Sequence, residues 1–285
     1  MKLINLDSLE EYKKGDKYAI PIRSMVVAPK DFILVQWDLK QAESWVVAFL
    51  ANEPRMKDAL QFGDIHALTA KVLFGDIFDT YIEGSREYKS ARYIGKRFNH
   101  ATAYRMGPHR ATEVVNKDSD KPPYVTITLA ESKDYMSRWH EFYYLGNWWM
   151  DVDSHAASDR TLVTPYDRVR TFFAQFGNEL SKEMTAHVPQ STVADHTNGA
   201  VQEELGIEGG LLTVYERFVT KYPDDIRLIN QSHDSGMAEV RKSALHMIPE
   251  ITALMLRPLV INGEQFTIPV DCEMGERWGQ LKAAA

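Results

Sequence analysis

The sequence predicts an α+β fold in which an antiparallel sheet carries packed helices and a second, mostly helical lobe is inserted between its strands. Three stretches carry that expectation. Residues 32–37, FILVQW, are a short apolar run ending on Asp38, as a buried strand does. Residues 226–240, IRLINQSHDSGMAEV, read as a strand, a tight turn and a return strand or helix start. Between them, 53–150 is dominated by helical spacing.

The remaining elements follow in order. QAESWVVAFLANEP has helical character that Pro54 is expected to close. GDIHALTAKVLFG, 63–75, predicts a helix with Asp64 at its start and Gly75 just past its end. Residues 85–105 predict a longer helix; KPPYVT, 121–126, is a break, followed by helical, aromatic-rich sequence through NWWM at 147–150. RTLVTPYDRVRTFF, 160–173, sets a Pro-Tyr-Asp turn between two β-prone arms and reads as a hairpin. From 176 to about 206 the pattern is mostly helical, with an interruption expected near Pro189. The division expected is a sheet-bearing part, 1–52 and 151–285, and a helical lobe, 53–150.

Composition limits the function classes. With 285 residues and 44% hydrophobic content the chain can bury a substantial core. A single cysteine, Cys272, excludes an internal disulfide, and the first residues have neither a signal-peptide run nor a membrane span, so a reducing cytoplasm and no membrane partner are expected. The net charge of -7 argues against coating nucleic acid by charge alone, though not against a local basic groove.

Two constellations carry chemistry. Asp38 and Asp234 each end an apolar strand, where a side chain can leave the core; carboxylates brought together there repel unless a divalent cation neutralises them. Strand-end aspartates are also common turn residues. Arg92, Lys96, His100 and Tyr104 recur every fourth position, so on a helix they form one row, with Arg92 to His100 covering roughly 12 Å. A nucleoside triphosphate laid along it would meet Arg92 and Lys96 with its phosphates and His100 with its sugar and base, with Tyr104 beyond. A solvated basic face is the plainer alternative. His109, His187 and His196 lack metal-ligand company, and the tryptophans, Trp148 and Trp149 among them, are assigned to packing.

RYIGKRFNHATAY, 92–104, resembles the nucleotide-binding fingers helix of family A DNA polymerases, the bacterial DNA polymerase I group. WDLKQAES, 37–44, is similar to that family's first palm motif, and QSHDSGM, 231–237, to its last; the three occur in the family's order. IPIRSMVVAP, 20–29, resembles the lead-in to the first palm strand, VPQSTVAD, 188–195, the family's PxQGTAAD segment, and IPVDCEMGERWGQL, 268–281, its C-terminal ending.

The resemblance implies a right-hand polymerase with an antiparallel palm and a helical fingers lobe. It implies Asp38, Asp234 and the Leu39 carbonyl as ligands of two Mg²⁺ ions, for which Mn²⁺ can substitute. It implies Lys96 as triphosphate contact and proton donor, with Arg92, His66, His100, Gln41 and Glu43 around the nucleotide and Glu43 crowding the 2′ position. It implies Tyr104, Gln190, His233, Lys182 and Arg23 as primer-template contacts. Partners so implied are primer-template DNA and dNTPs.

The sequence departs from the family at several positions. His100 stands where bacterial members carry Phe or Tyr, as in the phage branch; Arg105 replaces a glycine; Ser235 replaces an acid; Lys182 and Ala186 replace an arginine and an asparagine. Only 37 residues precede Asp38, which leaves no room for the family's thumb or exonuclease domain, so a palm-and-fingers fragment or a reduced or split enzyme is expected, with a second chain supplying a thumb as one partner. The rival readings are a non-catalytic subunit that binds primer-template or a partner chain, and a metal-dependent nuclease, for which the further acidic ligands are lacking.

Overall fold

The computed structural model describes residues 22–117, 119 and 122–284. Residues 20 and 21 of the predicted lead-in and Lys121 of the predicted break lie outside them.

In chain order the elements are β1 (Phe32–Leu39), α1 (Ala42–Leu50), α2 (Pro54–Phe62), α3 (Ile65–Phe74), α4 (Arg86–Ala103), α5 (Pro108–Asn116), α6 (Leu129–Phe142), α7 (Gly146–Ala157), β2 (Thr161–Val163), β3 (Val169–Thr171), α8 (Asn178–Asn198), α9 (Gly210–Val214), β4 (Ile226–Ser232), β5 (Ser235–Arg241), α10 (Ile248–Met255), β6 (Pro258–Ile261), β7 (Glu264–Thr267), β8 (Val270–Gly275) and β9 (Lys282–Ala283). By packing, the chain forms two compact units. One comprises the described residues up to Ala42 with 193–260 and 265 onward; the other comprises 43–192 with 261–264. The helical unit by packing, 43–192 with 261–264, is thus wider than the 53–150 lobe expected from the sequence: it also takes nearly all of α1, the end of α7, the β2–β3 hairpin and most of α8.

The first unit is built on an antiparallel sheet of order β4-β5-β1-β8-β9. Strand alternation explains its two faces. Val35 and Trp37 of β1, with Ala238 and Val240 of β5 and Ile226 of β4, form a core with Leu211 and Val214 of α9 and Ile251 and Met255 of α10. The Trp37 indole N–H donates to Thr252 Oγ1 of α10 at 2.9 Å, which satisfies the one polar atom of this fully buried ring. Gly236 permits the contact with α9, since a Cβ there would stand 2.4 Å from Leu211 Cδ2. Gln36 and Asp38 alternate onto the opposite face.

In the second unit, α3 and α4 lie in direct backbone contact. A Cβ on Gly95 would come within 2.4 Å of the His66 carbonyl and 2.9 Å of the Ala70 nitrogen, so only glycine allows this approach. Asn99 of α4 ties three helices together: its Oδ1 accepts from Thr69 Oγ1 of α3 at 2.9 Å and from the Trp139 indole of α6 at 3.0 Å. Every member of that network is buried, so each bond fulfils a group with no access to water.

Proline positions account for two corrections. Pro54 opens α2 rather than closing α1: it occupies the first turn, where its missing N–H has no helical partner to lose, and Glu53 caps the helix by accepting from the Arg55 N–H at 3.1 Å. Pro189 does not interrupt α8, which runs unbroken from Asn178 to Asn198 with Val188 and Pro189 buried. One missing N–H bond is outweighed there by burial of the apolar side chains around it. The helical stretch after the break is two helices, α6 and α7, and α5, a nine-residue helix opened by Pro108, is an element the sequence reading lacked.

Candidate active site

Asp38 and Asp234 come together because of how β4 and β5 are joined. Ser232 pairs with Ser235, leaving His233 and Asp234 as the two-residue turn, with His233 at φ 41. β5 runs antiparallel to β1 with Asp38 opposite Ser235, and the Leu39 N–H donates to the Asp234 carbonyl at 3.0 Å. The two aspartates thus occupy adjoining strand ends, each half-buried. Ser235 is buried, and its hydroxyl donates back to the Ser232 carbonyl at 3.2 Å, so it closes the hairpin.

The opposite flank of Asp38 holds a residue the sequence reading missed. In the β1–β8 register Asp38 faces Asp271, and Lys40, whose N–H bonds the Pro269 carbonyl at 2.8 Å, reaches diagonally to Asp271 Oδ1 at 2.7 Å. The alternation of acids at 271 and 273 signals an exposed face, but only strand register shows what it faces. Gln41 follows at φ 53, its Oε1 buried with no hydrogen-bond partner among the described residues. Arg23 lies over the ring of Trp278 at 5.1 Å, and that indole donates to Gln36 Oε1 at 3.1 Å. His233 is exposed on the turn.

In the helical unit Arg92, Lys96 and His100 form a row on α4, which ends at Ala103 rather than 105 and so leaves Tyr104 as its C-cap, and three of the four have a partner on another element. Arg92 Nε donates to Asp64 Oδ2 at 2.6 Å, while Asp64 Oδ1 caps α3 through the His66 and Ala67 N–H groups. Burial, the largest single influence, pushes the Asp64 carboxyl up, but Arg92 and the two backbone donors together bring it below its ordinary value. Lys96 is exposed.

His66 is 2% exposed, with its ring 6.2 Å from that of His100. Asn99 Nδ2 lies 3.2 Å from His66 Nδ1, so Nδ1 accepts and the proton resides on Nε2. Burial first, then the Arg92 charge, lowers the His66 pKa to about 3, and burial also lowers that of His100; both rings are neutral at pH 7.

At the end of the row the Tyr104 hydroxyl donates to Glu43 Oε2 in the first turn of α1. Burial and then the Glu43 charge raise the phenol well above its ordinary pKa, so it remains a donor. Arg105 occupies the left-handed region at φ 58, the conformation for which glycine is the usual residue. Its guanidinium is held by Asp153 at 2.7 Å and by the Trp149 carbonyl at 2.5 Å. On α8, Gln190 is exposed and Lys182 pairs with Glu179 at 2.7 Å.

The family model for DNA polymerase family A matches residues 3–280. The chain belongs to this family. Among curated relatives of this family A chain, it is 30% identical over 125 residues to "DNA polymerase I" of Synechocystis sp., a match covering 43% of the chain and 11% of the relative. It is 22% identical over 287 residues to "DNA polymerase" of Escherichia phage T5, covering 89% of the chain and 31% of the relative. The chain therefore spans about a third or less of these relatives. The POL domain of Pol1 from M. smegmatis, solved in complex with DNA primer-template and dNTP, shares the fold: TM-score 0.67 at 18% identity, covering 91% of this chain and 42% of that one. The family A fold expected from the sequence, α+β with an antiparallel sheet, is the one observed. No helix among the described residues is long and apolar enough to cross a membrane.

Proposed function

We propose that this chain carries out template-directed DNA synthesis, transferring a nucleotide from a dNTP to a primer 3′-OH with two bound Mg²⁺ ions. The observation that carries the reading is the placement of Asp38 and Asp234 on adjoining strand ends, linked by the Leu39–Asp234 backbone bond. Their carboxylates and the Leu39 carbonyl are hard oxygen donors, the kind Mg²⁺ takes. Among the described residues no three His, Cys, Asp or Glu side chains are grouped to hold a metal by themselves. Such a sparse donor set fits an ion that completes its shell with substrate phosphates and water. Bound Mg²⁺ supplies activation of the primer 3′-oxygen and stabilisation of the departing pyrophosphate.

The other residues then have defined work. Exposed Lys96 offers a point charge and a proton to the triphosphate, and Arg92, oriented by Asp64, a forked donor. Neutral His66, its ring fixed by Asn99, backs His100 from α3. Glu43, fixed by Tyr104, fills space against a ribose 2′-hydroxyl, and Gln41 is assigned to the nucleotide from the family motif it belongs to. Gln190, Lys182, His233, Arg23 and Tyr104 serve primer and template.

Primer extension by the purified chain with Mg²⁺ or Mn²⁺ tests the reading. Asp38→Ala or Asp234→Ala should abolish extension while thermal unfolding stays unchanged; extension at the wild-type rate by either variant refutes it. One observation favours the second reading, a subunit that binds primer-template without catalysis: Ser235, where the family has an acid, spends its hydroxyl on the turn. DNA binding without extension, with or without an added duplex-gripping protein, is its signature.

A further inference from the structure

An ion pair lies on the outer flank of Asp38. Asp271 and Asp38 are directly opposed in the β1–β8 register, which places their Cβ atoms about 5 Å apart on one sheet face. Lys40 is two residues beyond Asp38 on that same face, and its ammonium is 2.7 Å from Asp271 Oδ1. Both side chains are about half exposed, so the pair is of the kind whose contact strength is small. Its charges nonetheless stand beside a carboxylate assigned to hold a divalent ion.

We infer that Asp271 is a positioning residue: it engages the Lys40 ammonium so that the flank of Asp38 is neutral, and the pair thereby sets the divalent-cation affinity of the aspartate site. This rests on Asp38 being a metal ligand. Coulomb's law gives the consequence. Without Asp271, an unpaired cation stands next to Asp38 and competes with the divalent ion for its oxygens. Without Lys40, an unpaired carboxylate stands there and attracts the ion. The two single substitutions must therefore act in opposite directions, and the double substitution must cancel. A packing role for the pair gives no such pattern, because losing either partner would then weaken the site.

The experiment is a titration of the full chain with Mn²⁺, followed by electron paramagnetic resonance in the absence of nucleotide and DNA. Asp271→Asn should weaken Mn²⁺ binding about three- to tenfold, Lys40→Met should tighten it by a similar factor, and the double variant should return near wild type. Raising the salt from about 0.05 to about 0.5 M, which shortens the Debye length about threefold, should shrink both shifts. Thermal melts check that each variant is folded, and Asp271→Ser replaces Asp271→Asn if the latter is not. Shifts of the same sign, or none, overturn the inference. An Asp38→Asn control separates the two levels: if it binds Mn²⁺ as wild type does, or wild type binds none, the metal-site reading itself fails and the inference with it.

Discussion

Lowering the pH should unfold this protein partly through a histidine that resides at its candidate nucleotide site. His66 is 2% exposed and its pKa is lowered to about 3, against 6.5 in the unfolded chain. Between those values the unfolded state binds a proton that the folded state does not, so stability rises with pH across this window. The contribution is fully present above pH 6.5 and lost as pH falls toward 3. At pH 5 the loss from this one group is about 2 kcal/mol, from the proton taken up by the unfolded state alone. Urea unfolding at pH 7.5 and 5.0 measures it: the pH-dependent loss in His66→Gln should be smaller than in wild type by about 2 kcal/mol. His196, 1% exposed and also lowered to about 3 by burial and then the Arg257 charge, lies in the other unit and should give an independent decrement of similar size in His196→Gln. If wild type and His66→Gln lose the same stability between the two pH values, the buried, neutral state assigned to this ring is wrong.

Two further outcomes follow from the same packing. Glu43→Ala should lower the preference for dNTP over rNTP at least about tenfold, equivalent to about 1.4 kcal/mol, as read by single-nucleotide incorporation; Tyr104→Phe, which leaves the carboxylate but unties it, should lie between, and an unmoved ratio in both places the discrimination elsewhere. Gly95→Ala should destabilise the helical unit by about 1–3 kcal/mol through overpacking against the α3 backbone, measured as a lowered Tm, and a wild-type Tm would show that the two helices separate easily.

What the sequence made legible was what local pattern controls. The apolar run into Asp38, the caps Asp64 and Gly75, and the hairpin around Asp234 each announce themselves within a few residues, and the four-residue spacing of the α4 row needs only helical geometry. Partnerships across the chain were not legible. Asp271 faces Asp38 only because β8 lies beside β1 in one register, and the Arg92–Asp64 and Tyr104–Glu43 pairs depend on which helices are neighbours. Pro54 and Pro189 were misread for a related reason: proline's local effect is fixed, but whether it ends a helix, begins one or sits within one depends on which backbone bond is already lost and what the surrounding side chains bury.

The contact at Gly95 has a mechanical consequence. With no room for even a methyl group between α3 and α4, these helices cannot slide along each other, and His66 travels with Arg92, Lys96 and His100 as one plate. Any rearrangement that repositions this plate must be taken up where the chain enters and leaves it, at Gly63 and Asp64 ahead of α3 and at Arg105 after α4, and of these Arg105 is already bent into the left-handed region. The plate would then move as a unit instead of deforming residue by residue.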